Sequence, residues 1–171
     1  IRFQVKFWKK AENGCVEPVK HYRAHLEKVC SMTLSSTGLL LGTTGADKAF
    51  KLFDVRAFDL TAMSKLDFVP SSALAFVHHS TAPSPLVAIG DSASNKVHII
   101  NAESGVGTPI RTFDVHRQPC HTLRYNAQYH CVVSADKSGQ IEIWDPQTLK
   151  LPDNSDVNAP SGRRPLRFKL K

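Results

Sequence analysis

Short segments in which apolar and polar side chains alternate recur along the chain, and such alternation predicts β-strands with one face against a core. Four of these segments resemble one another: Val5–Trp8, Phe50–Phe53, Val97–Ile100 and Ile141–Trp144. They return at a period of about 45 residues. The chain is therefore predicted to be a series of repeated β-units of one size.

A Trp-Asp signature accompanies the repeat. Two of the four segments are followed directly by aspartate, at Asp54 and Asp145. A period of about 40 to 45 residues with this signature is typical of WD-repeat β-propellers, in which each blade is a sheet of four antiparallel strands. The sequence thus predicts an all-β fold, a partial WD-repeat β-propeller.

The length of the chain sets the number of blades. Its 171 residues accommodate about 3.5 blades at this period, whereas propellers have about 4 to 8. We expect a fragment of a larger ring, because Ile1 lies only one strand length before the first Trp. A closed ring of four blades is the alternative.

Turn and strand signals divide the predicted propeller into four parts. They are a blade remnant at 1–18 and blades at 19–66, 67–115 and 116–171. The last blade contains residues 151–165, which are rich in Pro, Asn and Asp and predict a flexible loop before a final strand at Leu166–Leu170.

The other strands follow from the same alternation, with turn residues such as Asn13-Gly14 between them. Leu60–Leu66 suits a helix or a strand by composition, and the blade plan favours a strand. Val19–Ala24 is predicted to be an outer strand that joins blades. The remaining predicted strands are Ile1–Lys10, Val29–Leu34, Leu39–Thr44, Ala49–Val55, Ala73–His78, Leu86–Gly90, Val97–Asn101, Pro109–Phe113, His121–Tyr125, His130–Ser134 and Gln140–Trp144.

WD-repeat blades often contain four hydrogen-bonded polar side chains: a His before the first strand, a Ser or Thr on the second, an Asp before the third, and the Trp. Buried polar groups are costly unless they pair, and these four pair with one another. The second blade offers His25, Thr43, Asp47 and Phe53. Because Phe53 has no indole N–H, a triad is expected there.

The fourth blade offers His116, Ser134 and Trp144. Ser138 takes the position of the aspartate, and Asp136 lies two residues early. The third blade has neither the His nor the Asp; it carries Ser94 at the aspartate position and ends in Ile100. Only the second and fourth blades are therefore strong matches.

Two pairs of residues suggest chemistry that we do not favour. A His25–Asp47 pair suits general acid–base catalysis, but the hydrogen-bonded set explains it. His78 and His79 could ligate a metal, but adjacent strand residues point to opposite faces. We predict no catalytic residue, no metal site and no cofactor.

Charge and cysteine content bear on the binding partners and the cellular compartment of the protein. The net charge of +7 is compatible with nucleic acid but does not show it. Three of the four cysteines, Cys30, Cys120 and Cys131, lie in strand-like segments, and Cys15 lies in a turn. Buried reduced thiols are expected, without disulfides or metal. No apolar run approaches a membrane span and no secretory signal is visible, so we expect a soluble protein of the cytosol or nucleus.

The densest cluster of charge is at the end of the chain, at Arg163, Arg164, Arg167, Lys169 and Lys171. These cations could contact phosphate. We favour an outer edge strand whose charges prevent edge pairing, because no aromatic residues interleave to stack bases.

Four segments together resemble the N-terminal propeller of the peptidyl-prolyl isomerase domain and WD-repeat-containing family, nuclear cyclophilins associated with spliceosomes. The resemblance covers nearly the whole chain, to about residue 150. The segments are Val5–Lys10, Val19–Leu26, Asp47–Val55 and Val132–Gly139. The opening Ile1–Gln4 departs from the pattern, since it lacks the Asp-containing turn.

The resemblance implies a non-catalytic scaffold with spliceosomal protein partners, RNA as a further candidate, no membrane, no small-molecule substrate and a nuclear location. The family's isomerase is a separate cyclophilin domain with Phe-His-Arg and Gln-Gly-Gly-Asp motifs, which this sequence lacks. Two alternatives are the isomerase activity of a longer parent protein and a WD-repeat adaptor of another complex. The candidate partner contacts, chosen by their positions in the predicted blades, are Arg23, Lys48, Lys137, Arg163 and Arg164.

An open arc of blades leaves apolar blade faces exposed. At about 25 cal/mol per Å² of apolar surface, the loss is large. The chain is therefore expected to be marginally stable or to self-associate.

Overall fold

The structure, a computed structural model, describes residues 3–77, 84–145 and 148. These residues form thirteen strands, and none of them lies in a helix. The strands are β1 (Gln4–Lys10), β2 (Val16–Arg23), β3 (Val29–Leu34), β4 (Leu40–Gly45), β5 (Ala49–Asp54), β6 (Asp59–Lys65), β7 (Pro70–Phe76), β8 (Leu86–Asp91), β9 (Val97–Asn101), β10 (Arg111–Phe113), β11 (Cys120–Asn126), β12 (Cys131–Asp136) and β13 (Ile141–Trp144).

The strands form four antiparallel sheets in which consecutive strands are neighbours: β1–β2, β3–β6, β7–β10 and β11–β13. Contacts between β3 and β7 and between β7 and β11 place the first strands of the second, third and last sheets side by side. The fold is the all-β partial propeller that the repeat predicts.

The same apolar contact holds each sheet to the next. In each sheet the side chain at the Trp position of the repeat (Phe53, Ile100 or Trp144) faces the preceding sheet. The side chain one residue earlier faces the following sheet. Phe7 of the first sheet thus packs against Phe53 of the second, with 5.9 Å between ring centroids. Leu52 and Ile100 share the next core cluster, and Ile99 and Trp144 share the third. All of these side chains are buried, so the core lies between sheets.

The predicted outer strand Val19–Ala24 corresponds to β2, which pairs with β1 along its length. The predicted blade boundary at residue 19 therefore lies within a strand of the first sheet. The second sheet begins only at Val29. The residues before it form a turn that carries His25.

Most predicted strands form within one to three residues of their predicted ends. Val29–Leu34 and Val97–Asn101 have the predicted bounds, and the ambiguous segment Leu60–Leu66 is strand β6. The predicted loop 151–165 and strand Leu166–Leu170 lie outside the described residues.

The four cysteines are free thiols. Cys120 is buried, Cys30 and Cys131 are half-buried, and Cys15 is exposed. Burial raises the pKa of the Cys120 thiol to about 11, and its sulfur lies 3.3 Å from the carbonyl oxygens of Thr122 and Ala135. In the described part of the chain there is no helix of the length and hydropathy needed to cross a membrane.

Candidate functional site

The turns that follow β2, β4, β6, β8, β10 and β12 lie at one end of the sheets, and we call this end the turn face. Strand register places them together, since the first residue of β3 pairs with the last of β4, which pairs with the first of β5. The starts of β7 and β11 are joined by a hydrogen bond of 2.6 Å from the Ser71 hydroxyl to the Cys120 carbonyl. Both predicted polar sets lie just beneath this face.

In the second sheet the structure brings His25, Thr43 and Asp47 together. The Nδ1 atom of His25 lies 3.0 Å from Asp47 Oδ1, and its Nε2 atom lies 2.9 Å from Thr43 Oγ1. A carboxylate only accepts hydrogen bonds, so Nδ1–H donates to Asp47 and Nε2 accepts from the Thr43 hydroxyl. Asp47 Oδ2 also accepts from the backbone N–H of Leu26 at 2.7 Å. Phe53 is buried beside the set and adds no donor.

Gly45 makes room for this arrangement. A Cβ atom there would overlap Asp47 Oδ1 and His25 Nδ1, and would lie 2.6 Å from His25 Cγ. The Asp47 side chain therefore folds back over a position that only glycine fits. The sequence pattern contained Gly45, but its necessity becomes visible only in the packed turn.

In the last sheet, His116, Ser134 and Trp144 lie together. The indole N–H of Trp144 donates to Ser134 Oγ at 3.3 Å, and Ser134 Oγ lies 2.9 Å from His116 Nε2. With the indole as donor, the Ser134 hydroxyl is free to donate to the His116 ring. His116 Nδ1 makes no hydrogen bond in the structure and faces Asp136 Oδ2 at 3.8 Å.

Sequence reasoning missed the role of Asp136, because the spacing places Ser138 at the aspartate position. It occupies the register position of Gly45, since Cys120 pairs with Asp136 as Val29 pairs with Gly45. From there its carboxylate accepts five hydrogen bonds of 2.7 to 3.2 Å, four from backbone N–H groups and one from a hydroxyl. The donors are the N–H groups of Arg117, Gln118, Ser138 and Gln140 and the hydroxyl of Ser138.

A carboxylate thus accepts the N–H groups of the turn before the first strand in both sheets, but from two different backbone positions. Asp47 reaches the turn before β3 from the β4–β5 turn, whereas Asp136 reaches the turn before β11 from the end of β12. Burial acts to raise the pKa of Asp136, but the hydrogen bonds that it accepts outweigh burial and hold its pKa at about 2. Ser138 does occupy the register of Asp47, and it donates to Asp136 instead of replacing it.

In the third sheet Asp91 stands at the register position of Asp136 and accepts a hydrogen bond of 2.6 Å from the Ser94 hydroxyl, but the other positions of the set are apolar. By register, Leu66, Ile89 and Ile100 stand where the second sheet has His25, Thr43 and Phe53. All three are buried in one core cluster. Replacing hydrogen-bonded polar groups together by apolar ones leaves no orphaned donor, so the sheet keeps its packing.

Burial favours the neutral form of three histidines by lowering their pKa values. Burial is the main cause that lowers the pKa of His25, although its hydrogen bond to Asp47 opposes this. Burial also lowers the pKa of His116, against the charge of Asp136. His98 behaves likewise; it stacks on Phe68 at 4.1 Å and bonds Thr112 Oγ1 through Nδ1 at 2.9 Å. Sequence reasoning did not single out His98.

Stability is expected to fall on acidification below pH 6.5. Each of these three histidines has a folded-state pKa below its unfolded value, so the unfolded chain takes up protons first. Stability is then complete above about pH 6.5 and is lost toward the folded pKa, by up to about 1.4 kcal/mol per pH unit for each proton taken up. Urea unfolding from pH 7.5 to 5 measures this. His98→Gln should flatten the profile; a profile flat in the wild type would contradict the argument.

The geometry favours a structural role for His25 and Asp47 over catalysis. His25 has no exposed surface, so a substrate has no route to its ring. The described residues also hold no group of three His, Cys, Asp or Glu arranged to bind a metal. The sequence pair His78-His79 lies outside the described residues.

Three of the candidate partner contacts lie at the turn face. Arg23 ends β2, Lys48 lies in the β4–β5 turn and Lys137 in the equivalent β12–β13 turn, and all three are exposed. The β7–β10 sheet stands between the two lysines. Lys48 has a left-handed backbone, with φ 58°, where the last sheet has Gly139. Arg163 and Arg164 lie outside the described residues.

The turn face is the basic end of the described arc. Its turns expose three acidic side chains, Glu27, Asp67 and Asp114, against five cations: Lys28, Lys48, Lys96, Arg117 and Lys137. Among the described turns at the opposite end, Arg56 is the only Lys or Arg. An anionic partner surface would therefore be attracted to the turn face.

A family model and several relatives match this chain. The model "WD domain, G-beta repeat" matches residues 16–54 and 107–145. Each matched stretch contains the last strand of one sheet followed by three strands of the next, β2–β5 and β10–β13. The chain thus carries WD repeats, each shared between two sheets.

The relatives carry isomerase names. The chain is 35% identical, over 98% of its length, to peptidyl-prolyl cis-trans isomerase cyp15 of Rhizopus delemar, of which it covers 26%. It is 41% identical, over 88% of its length, to peptidylprolyl isomerase domain and WD repeat-containing protein 1 of Homo sapiens, and covers 23%. It is 34% identical, over 90% of its length, to peptidyl-prolyl cis-trans isomerase 9 of Schizosaccharomyces pombe, of which it covers 25%. The chain spans about a quarter of the length of these curated relatives.

Proposed function

We propose that this chain is a non-catalytic protein-interaction scaffold, the WD-repeat region of a spliceosome-associated peptidyl-prolyl cis-trans isomerase. The observation that carries the proposal is the similarity of nearly the whole chain to proteins whose names join an isomerase domain to WD repeats. A rigid set of sheets with turns gathered at one end suits binding better than chemistry.

The turn face is the surface that we assign to partners. Its backbone is fixed from below, because Asp47 and Asp136 accept N–H groups of the turns that lead into β3 and β11. Exposed cations therefore stand on turns of defined conformation, which lowers the entropy lost on binding. Lys48 and Lys137 are the contacts on which we place most weight.

A nuclear location and spliceosomal partners belong to the same proposal, and RNA is a further candidate partner. Support for them comes from the family resemblance and from the basic charge of the turn face. Among the described residues at this face, Phe3 is the only aromatic side chain in the set of large exposed apolar residues, and one ring does not form the series of stacking positions that successive bases need. A protein surface is the preferred partner.

The chain immobilised on beads should retain proteins of purified spliceosomes. Lys137→Glu and Lys48→Glu should each reduce retention several-fold at low salt, because each reverses a charge on the turn face. Arg56→Glu is the matched control at the opposite end and should retain the wild-type amount. Nuclease treatment should leave retention unchanged. Retention no greater than on empty beads, or an equal loss with Arg56→Glu, would contradict the proposal.

The isomerase alternative predicts catalysis, and the scaffold predicts none. A proline-containing peptide should relax in the presence of this chain at the uncatalysed rate, over tens to hundreds of seconds. A cyclophilin assayed in parallel serves as the positive control. A rate of prolyl isomerisation that rises in proportion to chain concentration would overturn the proposal that the chain is non-catalytic.

A further inference from the structure

The described turns that join the second and third strands within a sheet carry one exposed lysine each. These lysines, which we call the lysine row, are Lys48 between β4 and β5, Lys96 between β8 and β9, and Lys137 between β12 and β13. The three turns expose no carboxylate, since the side chain of Asp47 is only 9% exposed. The exposed acidic residues of the turn face lie instead in the turns that join one sheet to the next: Glu27, Asp67 and Asp114.

A carboxylate anchors each of the three turns. Asp47 and Asp136 do so in the second and last sheets, where they accept N–H groups from the turns around them. In the third sheet, Asp91 is buried and accepts the backbone N–H of Ala93 at 2.9 Å, in addition to the Ser94 hydroxyl. The backbone positions of the three lysines are therefore fixed relative to one another.

The lysine row has a regular spacing. The second, third and last sheets are consecutive neighbours, because β7 contacts both β3 and β11. Sheets that pack face to face lie about 10 Å apart, so one lysine follows the next at about this distance across the turn face. A ligand that engages the whole row has to present one negative charge every 10 Å or so, all on the same side.

A polyproline II segment meets this requirement. It has three residues per turn and rises about 3.1 Å per residue, so an acidic residue at every third position places its carboxylates on one side, about 9 Å apart. In a β-strand the side chains on one side repeat at about 7 or 13 Å. An α-helix matches the row only at every seventh residue, and it depends on an apolar face that packs on its partner. The three turns expose no large apolar side chain.

We propose that the lysine row binds an extended acidic segment of a partner protein, in the polyproline II conformation and with an acidic residue at every third position. The inference rests on the proposed function, because it names the class of partner that the turn face takes. The charge of the row selects the acidic residues, and its spacing selects their interval. The backbone of such a segment stays hydrated, so it needs neither a sheet edge nor an apolar groove.

The test is a titration of the full ¹⁵N-labelled chain at low salt, followed by NMR. The probe is a capped peptide of three Glu-Pro-Pro triplets, which should shift the amide signals of Lys48, Lys96 and Lys137 with one dissociation constant. An isomeric peptide, with three consecutive glutamates followed by six prolines, has the same charge. It should bind at least about twofold more weakly, since it reaches one lysine at a time and single exposed ion pairs contribute little.

Variants separate the lysine row from the general charge of the face. Lys96→Gln removes the middle charge and should weaken binding of the spaced peptide about two- to fivefold. Lys28→Gln is the matched control, because Lys28 is an exposed lysine of the same face in a turn between sheets, and it should weaken binding less. Equal affinity for the two peptides, an equal loss in the two variants, or tighter binding of a tetrauridylate at the same three amides would overturn the proposal.

Retention of spliceosomal proteins on beads separates failure of this inference from failure of the proposed function. If the spaced peptide does not bind while Lys137→Glu still lowers retention, the extended acidic segment is wrong and the proposed function stands. If the wild-type chain retains no more than empty beads, the proposed function is contradicted as well.

Discussion

Asp136→Ala is expected to lower the free energy of unfolding by about 3 kcal/mol, because buried N–H groups that lose their acceptor cost about 1 to 3 kcal/mol. The carboxylate is buried and accepts N–H groups from both the turn before β11 and the β12–β13 turn. Alanine would leave those N–H groups without an acceptor and His116 without its facing charge. Urea unfolding at pH 7.5 measures the loss.

The control is Asp67→Ala, which removes an exposed carboxylate from another turn of the same face and should change stability by less than about 0.5 kcal/mol. Acid titration adds a second readout. The pKa of Asp136 is lowered from 3.8 to about 2, so its contribution is present above pH 3.8 and is lost as pH falls toward 2. That part of the acid profile should be missing in Asp136→Ala. An unfolding midpoint equal to that of the control would show that the hydrogen bonds are not stabilising.

Gly45→Asp and Asp47→Ser should each destabilise the chain, and the double variant should be more stable than their sum predicts. Gly45→Asp alone places a side chain on top of Asp47 and His25, and overpacking of this kind costs about 3 kcal/mol. Asp47→Ser alone leaves His25 and the N–H of Leu26 without their acceptor, at about 2 kcal/mol. Together the two changes give the second sheet the residues of the last sheet, an aspartate at the end of the second strand and a serine two residues later.

A double-mutant cycle measured by urea unfolding tests this swap. We expect a favourable coupling of at least about 1 kcal/mol, since the new carboxylate stands where Asp136 stands in the last sheet. Pairing Asp47→Ser with Gly38→Asp is the control. Gly38 lies in the turn at the opposite end of the same sheet, so those two effects should add within about 0.5 kcal/mol. Additivity in the Gly45 cycle as well would mean that the two backbone positions are not interchangeable.

The strands were predictable because alternation and turn residues are local signals. The groups around His25 and His116 were also within reach, because spacing alone locates them on their strands. The role of Asp136 was not, since it depends on where a carboxylate ends up in space and not on its count along the repeat. The need for glycine at position 45 was also not predictable, because only the folded turn shows that a side chain there has no room.

Sheet membership escaped the sequence for a different reason. The period of the repeat is visible, but its phase relative to the sheets is not, so the predicted boundary at residue 19 lies within strand β2 of the first sheet. The apolar replacement in the third sheet is similar. Leu66 and Ile89 look like ordinary core residues, and only the register shows that they stand in for a histidine and a threonine.

The offset between repeat and sheet makes the unit of duplication different from the unit of folding. A copied stretch such as 16–54 contains β2 of one sheet and three strands of the next. A newly inserted copy would donate a closing strand to the sheet before it and receive one from the copy after it. Each inserted repeat therefore shares a sheet with both of its neighbours. A gene can gain or lose one repeat without leaving any sheet inside the array short of a strand.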